Sequence, residues 1–142
     1  MLWSGDVLRI DSANPNDLER LHLWFDGVAR NLPRAIQHGM RVALEEAVMN
    51  AAMHGFPPGA AGEIAVRLHI SPDTADLLVE DKGRSFDPTT APATAPPTSL
   101  TATKPGGHGL VLLRHYCHDI TYQRIGGWNR LIMRFPLPPV SA

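Results

Sequence analysis

The sequence predicts an α+β fold: a two-layer sandwich in which an antiparallel or mixed, mostly antiparallel sheet carries helices on one face. Three observations lead there. Glu63–Ile70 alternates apolar and polar residues, and the β-rich run Ala75–Glu80 follows it after only Ser71-Pro72-Asp73, which reads as a hairpin turn. A second pair of β-rich runs, Asp119–Arg124 and Asn129–Phe135, flanks Gly126-Gly127. Between residues 41 and 56 the chain is rich in Ala, Leu, Glu and Met, and no proline interrupts it until Pro57, as a helix requires. Strands that arrive as hairpins, with helices grouped apart from them, point to a sandwich rather than a doubly wound sheet.

The elements follow in order. Val7–Ile10 is a short first strand, and Asp11, Ser12 and Asn14-Pro15-Asn16-Asp17 then supply turn and N-cap chemistry. Leu18, Leu21, Phe25, Val28 and Leu32 recur at intervals of three and four, forming the apolar stripe of an amphipathic helix that ends before Pro33. The second helix starts at Pro33 or Arg34, with proline well placed in a first turn, and runs to Gly55, a glycine able to cap it in a left-handed conformation. After the two hairpin strands comes a Pro/Ala/Thr tract, Thr89–Pro105, within a loop of about residues 88–106. A loop of that length in a compact domain is a functional lid or a disordered segment. Gly106-Gly107-His108-Gly109 closes it, and Leu110–Tyr116 resumes a helical pattern before the last two strands.

At 142 residues, the chain is expected to form one domain over 1–142. An apolar fraction of 44% and a charged fraction of 19% suit a globular protein, and a formal charge of −1 offers no electrostatic reason for a nucleic acid or an anionic membrane as partner. The single cysteine, Cys117, excludes an internal disulfide and fits a reducing, cytoplasmic compartment. No secretory signal and no run of 18 apolar residues is present, so no membrane association is expected.

Three clusters carry candidate chemistry. Glu46, Asn50 and His54 follow at intervals of four, so they project from one side of the second helix within ~80° of arc. By itself the row is compatible with several metals, with none, or with a solvated face. As hard oxygen ligands, Asn50 and phosphate oxygens suit Mg²⁺, and Glu46, one turn earlier, can orient or deprotonate an attacking hydroxyl. His54 near the helix end is equally a partner for the helix dipole. Asp81-Lys82-Gly83 lies at a strand end, where a buried carboxylate can accept from an exocyclic amine and a glycine lets a flat ring lie against the backbone. Gly106-Gly107-His108-Gly109-Leu110, at a helix start, has the make-up of an anion site. The histidines at 22, 38, 69, 115 and 118 show no metal spacing.

EAVMN with His54, then DKG with Phe86-Asp87-Pro88, then GGHGL, in this order, resemble the N, G1 and G2 boxes of the GHKL ATPase/kinase superfamily, which has the Bergerat fold. Within it the chain is most similar to the small stand-alone serine-protein kinases that act as anti-sigma factors. The resemblance implies ATP and Mg²⁺ as cofactors, Glu46 as general base, Asn50 as magnesium ligand, Asp81 as adenine reader and Gly83 as the close-approach glycine. It makes Gly107 and Gly109 the phosphate-loop glycines and Thr89–Pro105 the ATP lid. His54, Phe86, Lys104, Gly106, His108, Leu110 and Asn129 complete the nucleotide-binding candidates, with Lys104 placed to reach a phosphate. Two positions depart from the pattern of many relatives. His108 stands for a permanently basic residue, making the charge near the phosphates pH-dependent, and Ser85 stands for glycine.

The implied activity is ATP-dependent phosphorylation of a serine or threonine on an antagonist protein in a partner-switching pathway. The implied partners are that antagonist, a sigma factor and a second copy of the chain. A non-catalytic, ATP-gated binding module is the alternative. The catalytic module of a histidine kinase ranks lower, because no helical hairpin with a phospho-acceptor histidine precedes the domain.

Overall fold

A computed structural model describes residues 6–11, 14, 16–57, 59–90 and 109–139, with the backbone alone for 109–111. The elements are β1 (Val7–Asp11), α1 (Asp17–Val28), α2 (Arg34–Gly55), β2 (Glu63–Ile70), β3 (Thr74–Asp81), α3 (Gly109–Tyr116), β4 (Asp119–Ile125) and β5 (Trp128–Pro136). The strands form one five-stranded sheet in the order β1-β2-β3-β5-β4. Every pairing is antiparallel, which decides between the antiparallel and mixed sheets that the pattern allowed.

Strand alternation gives the sheet two unlike faces. On the inner face, Ile64, Val66 and Leu68 of β2, Ala75, Leu77 and Val79 of β3, and Leu131, Met133 and Phe135 of β5 pack into one core with Leu21, Phe25, Met40, Leu44 and Leu113 from the helices. Fully burying a side chain of this size contributes about 1.5–3 kcal/mol, so this layer supplies most of the driving force for folding. On the outer face, Glu80 pairs with Arg67 at 3.4 Å and with Arg130 at 3.1 Å, and Arg134 pairs with the wholly buried Asp76 at 3.1 Å. The helices therefore do stand on one face.

The start of α1 differs from the expectation in detail. Asn16 makes no side-chain cap, and Asp17 instead turns back to accept the Asp11 N–H at 2.6 Å and Arg20 Nη1–H at 2.9 Å. These bonds, the Asp11 N–H first, hold the Asp17 carboxyl below its ordinary range against the opposing effect of burial. Leu21 and Phe25 are buried as expected, but Leu18 is 46% exposed: it lies at the edge of the stripe, where the helix has only begun to meet the sheet. The helix also stops at Val28, a turn earlier than Pro33 alone implied.

At the other end of α2, the expected left-handed glycine cap is corrected. Among the described residues only Gly59, Gly126 and Gly127 have positive φ; Gly55 is still helical and the chain leaves the helix at Phe56, with φ −133° and ψ 151°. Pro57 accounts for this, because the residue before proline is driven out of the α region into extended backbone. Gly55 serves packing instead. A Cβ there would stand 3.2 Å from Asp81 Oδ1 and 3.5 Å from Gly83 Cα.

Candidate functional site

That close approach of α2 to the end of β3 creates a cleft. It is lined by Ala47, Asn50, Ala51 and Gly55 from α2, by Val79 and Asp81 from β3, by Phe86 and Pro88 from the following loop, and by Tyr122, Asn129 and Leu131 from β4 and β5. The sheet order is what assembles it: β5 lies beside β3 with Asn129 directly opposite Asp81, and β4 beside β5 brings in Tyr122. The lining is mostly apolar, with Asn50, Asp81, Tyr122 and Asn129 as its polar members. The space open to a water-sized sphere is only about 30 Å³, less than a purine ring occupies.

Asp81, 5% exposed, is one of these polar groups. Its Oδ1 accepts from Gly83 N–H at 2.8 Å and from Asn129 Nδ2–H at 2.8 Å. Among the described residues Oδ2 has no partner, which leaves one carboxylate oxygen for a donor on a ligand. Burial raises the carboxyl above its ordinary range, while Asn129, the Gly83 N–H and the charge of Arg124 pull it back. Asn129 is itself committed on every side: Nδ2 also donates to Arg84 O at 2.9 Å, and Oδ1 accepts from the Tyr122 hydroxyl at 2.5 Å and from Phe86 N–H at 3.5 Å.

Gly83 makes a close approach to the end of α2. A Cβ on it would stand 2.5 Å from Gly55 O and 2.6 Å from Gly55 Cα, so its missing side chain admits the backbone of α2. Arg84 N–H then donates to Gly55 O at 2.9 Å and Arg84 Nε–H to His54 O at 2.7 Å, satisfying carbonyls that the helix end leaves unpaired. Arg124 donates to Gly83 O at 2.7 Å and braces the same loop from β4.

On the helix wall, Asn50 is 6% exposed and lines the cleft, with no side-chain hydrogen bond among the described residues. A buried amide with an uncommitted oxygen fits a cation or a hydrated phosphate group. Glu46 is half-buried one turn earlier and is not among the described residues lining the cleft. His54 does not line it either; its ring stacks on Phe86, with centroids 4.2 Å apart and planes 13° from parallel, and so backs that lining residue. Gly109 and Leu110 open α3. Lys104, Gly106, Gly107, His108 and all of the Thr89–Pro105 tract but its first two residues lie outside the described residues. No group of three or more His, Cys, Asp or Glu side chains gathers around a metal position among the described residues, so a cation here would draw its other ligands from substrate and water. Sequence reasoning missed Gly55, Arg84, Tyr122 and Arg124, because each enters the site through a contact distant in the chain.

The fold and cleft are those of a two-layer α+β domain whose pocket suits, in its chemistry, a flat ring bearing an amine. The chain belongs to the family of histidine kinase-like ATPase domains, whose model matches residues 12–135. It is similar to the serine/threonine-protein kinase BtrW of Bordetella bronchiseptica, 36% identical over 102 residues that make up 72% of each protein. It is also similar to the serine-protein kinase RsbW of Bacillus pumilus, 28% identical over 131 residues, covering 87% of this chain and 81% of the relative. Among solved structures, the histidine kinase domain of a blue-light activated kinase from Erythrobacter litoralis EL346 superposes with a TM-score of 0.55 at 17% identity, covering 84% of this chain and 59% of that one. The mycobacterial sensor histidine kinase MprB superposes with a TM-score of 0.51 at 19% identity, covering 95% and 100%. At these identities the two structures speak to the fold alone.

Proposed function

We propose that the chain is an ATP-dependent serine/threonine protein kinase that acts as an anti-sigma factor, phosphorylating an antagonist protein in a partner-switching pathway. The observation that carries this reading is the cleft itself. A buried carboxylate, half satisfied, lines a mostly apolar slot together with Asn50 of α2, the helix that also bears Glu46, in a chain 36% identical to a serine/threonine-protein kinase.

Asp81 Oδ2 accepts from the exocyclic amine of adenine, while Val79, Ala51 and Leu131 enclose the ring. Asn50 offers its amide oxygen to Mg²⁺. When bound, the cation neutralises charge on the phosphates. Glu46 takes the proton of the acceptor serine or threonine hydroxyl as its oxygen bonds to the γ-phosphorus; the bond from that phosphorus to the β–γ bridging oxygen breaks, and ADP leaves. Gly107 and Gly109 are the proposed phosphate-loop glycines, with Lys104 as a neighbouring cation and His108 as a neighbour whose charge depends on pH. The antagonist, a sigma factor and a second copy of this chain are the proposed partners, in the cytoplasm. Among the described residues no helix is long and apolar enough to cross a membrane.

Incubation with γ-labelled ATP and the proteins captured on the chain from its native cytoplasm tests this. Label is expected to pass to a serine or threonine of a captured protein, and Glu46→Gln is expected to abolish transfer while retaining ATP binding. Transfer at the wild-type rate in that variant refutes the role given to Glu46. A second reading, ATP-gated binding without catalysis, draws support from Phe86. Phe86 lines the cleft and precedes the lid tract, so a ring entering there meets the start of that loop. Tight ATP binding with no transfer to any captured partner favours it.

A further inference from the structure

The two edges of the sheet are finished differently. At one, α1 closes backbone groups of β1: Asp17 accepts the Asp11 N–H at 2.6 Å, and Arg20 Nη2–H donates to Arg9 O at 3.0 Å. At the other, β4 pairs with β5 alone, in unbroken register from Asp119 opposite Arg134 to Ile125 opposite Trp128. Every second residue of such a strand turns its N–H and C=O away from the sheet, and among the described residues nothing bonds to these groups on β4. Its seven residues include no proline, lysine or bulge to block the edge, and Asp119, Thr121, Gln123, Arg124 and Ile125 are exposed. The edge ends in positive charge. Arg124 Nη1–H donates to Gly83 O at 2.7 Å and so ties β4 to the loop that carries Lys82 and Arg84. Lys82 Nζ lies 4.9 Å from the ring centroid of Trp128, the residue opposite Ile125. Among the described residues none of these three cations has a carboxylate partner within 4 Å, whereas Arg67, Arg130 and Arg134 on the outer face each have one.

We propose that the open edge of β4 is a docking edge for an extended, acidic segment of a partner protein, which adds to the sheet as a further antiparallel or parallel strand. An extended peptide offers N–H and C=O groups in alternation and so answers both the donors and the acceptors of the edge, while its carboxylates answer Lys82, Arg84 and Arg124. A nucleic acid strand brings phosphate acceptors without a matching row of donors, and Lys82 stands over the Trp128 ring on which a base would stack. The β4 of a second copy carries a single acid, Asp119, against three cations. Because Tyr122 of the same strand lines the cleft, docking and cleft share one element, but the proposal stands without the nucleotide reading.

The test titrates the full chain with a short synthetic peptide of alternating glutamate and threonine, read by backbone amide shifts and hydrogen exchange. Shifts confined to β4 and residues 82–84 are expected, with exchange slowed at every second residue of β4 and an affinity that falls as salt is raised. The same peptide N-methylated throughout keeps its charge but has no N–H to donate, and is expected not to bind. Lys82→Glu is expected to weaken binding about two- to fivefold, the value of one exposed charge pair. Arg124→Glu is expected to do the same, and Lys82→Glu carries the test where the loss of the bond to Gly83 O unfolds that variant. Equal binding of the N-methylated peptide, shifts that map elsewhere, or no binding of the acidic peptide overturns the proposal. An equal response to a lysine–threonine peptide or to oligothymidylate overturns it as well. So does slowed exchange in β4 that grows with protein concentration alone, which would mark the edge as an interface between two copies of the chain.

Discussion

Replacing Gly83 by alanine separates the two uses a glycine can have at this point. The added Cβ would stand 2.5–2.7 Å from the O, Cα and C atoms of Gly55, about 0.9 Å short of the 3.4 Å at which ordinary contact begins. All three atoms are backbone, so no rotamer change relieves the overlap, and the ends of α2 and β3 must part. Parting them weakens the bonds from Arg84 N to Gly55 O at 2.9 Å and from Arg84 Nε to His54 O at 2.7 Å. Overpacking strain of about 1–3 kcal/mol plus the weakened bonds gives a loss of about 2–4 kcal/mol. For a domain of this size that is a fall in Tm of roughly 6–15 °C. The assay is thermal unfolding without nucleotide, with Gly27→Ala as reference. Gly27 lies in α1, and a methyl added there would meet nothing within 4 Å, so that change is expected to be neutral or stabilising by up to about 1 kcal/mol. A glycine required only so that a ring can lie on it would leave ligand-free stability untouched. Gly83→Ala melting within a degree or two of wild type would therefore refute the packing argument.

Three further outcomes follow from burial and charge. Asp17→Asn is expected to cost about 1–2 kcal/mol at neutral pH through the charge-assisted bonds to the Asp11 N–H and Arg20. Because the folded carboxyl lies below its ordinary 3.8, its stabilisation is complete above that value and is lost as pH falls through the lower folded value; denaturant melts should show the variant's deficit shrinking only in that acid window. Burial pushes the Cys117 thiol up to about 12, leaving about 1 in 10⁴ as thiolate at pH 8, so alkylation should be very slow in native protein and fast once guanidinium unfolds it. Leu77→Ala, at a wholly buried position on the inner face of β3, should cost about 2–5 kcal/mol in denaturant unfolding.

The parts legible in the sequence are those written in local pattern. Gly126-Gly127 marked its hairpin because a two-residue turn there needs positive φ, and the values are 56° and 82°. Alternation located β2 and β3, and the i, i+4 spacing placed Glu46 and Asn50 on the wall of a helix. What was not legible depends on neighbours remote in the chain. Nothing in Asp81-Lys82-Gly83 says that its glycine faces the end of α2, or that Arg84 satisfies that helix's last carbonyls. Tyr122 carries no motif; it joins the site only because β5 intervenes between β3 and β4, a strand order that no local pattern encodes. Leu18 obeyed the helical period yet stayed 46% exposed, since period identifies a stripe but not how far the opposing layer extends.

The contact between Gly55 and Gly83 also sets the scale of the site. It is the fixed point from which distances along α2 are measured, because it joins the last residue of that helix to the loop beside Asp81. At a rise of ~1.5 Å per residue, Asn50 lies ~7.5 Å and Glu46 ~13.5 Å back along the axis from Gly55. On the proposed reading, base recognition at the helix end, cation binding partway along and proton transfer farther on would fall in the order in which a base, a ribose with its phosphates and an incoming hydroxyl follow one another in a nucleoside triphosphate complex. A side chain at either glycine would part the end of α2 from Asp81 and so change the distance from Asp81 to Asn50 and Glu46, which the helix carries together. That is why a position with no functional atom of its own should affect transfer geometry as strongly as stability. The spacing of four between Glu46 and Asn50 acquires its meaning only once the end of the ruler is pinned.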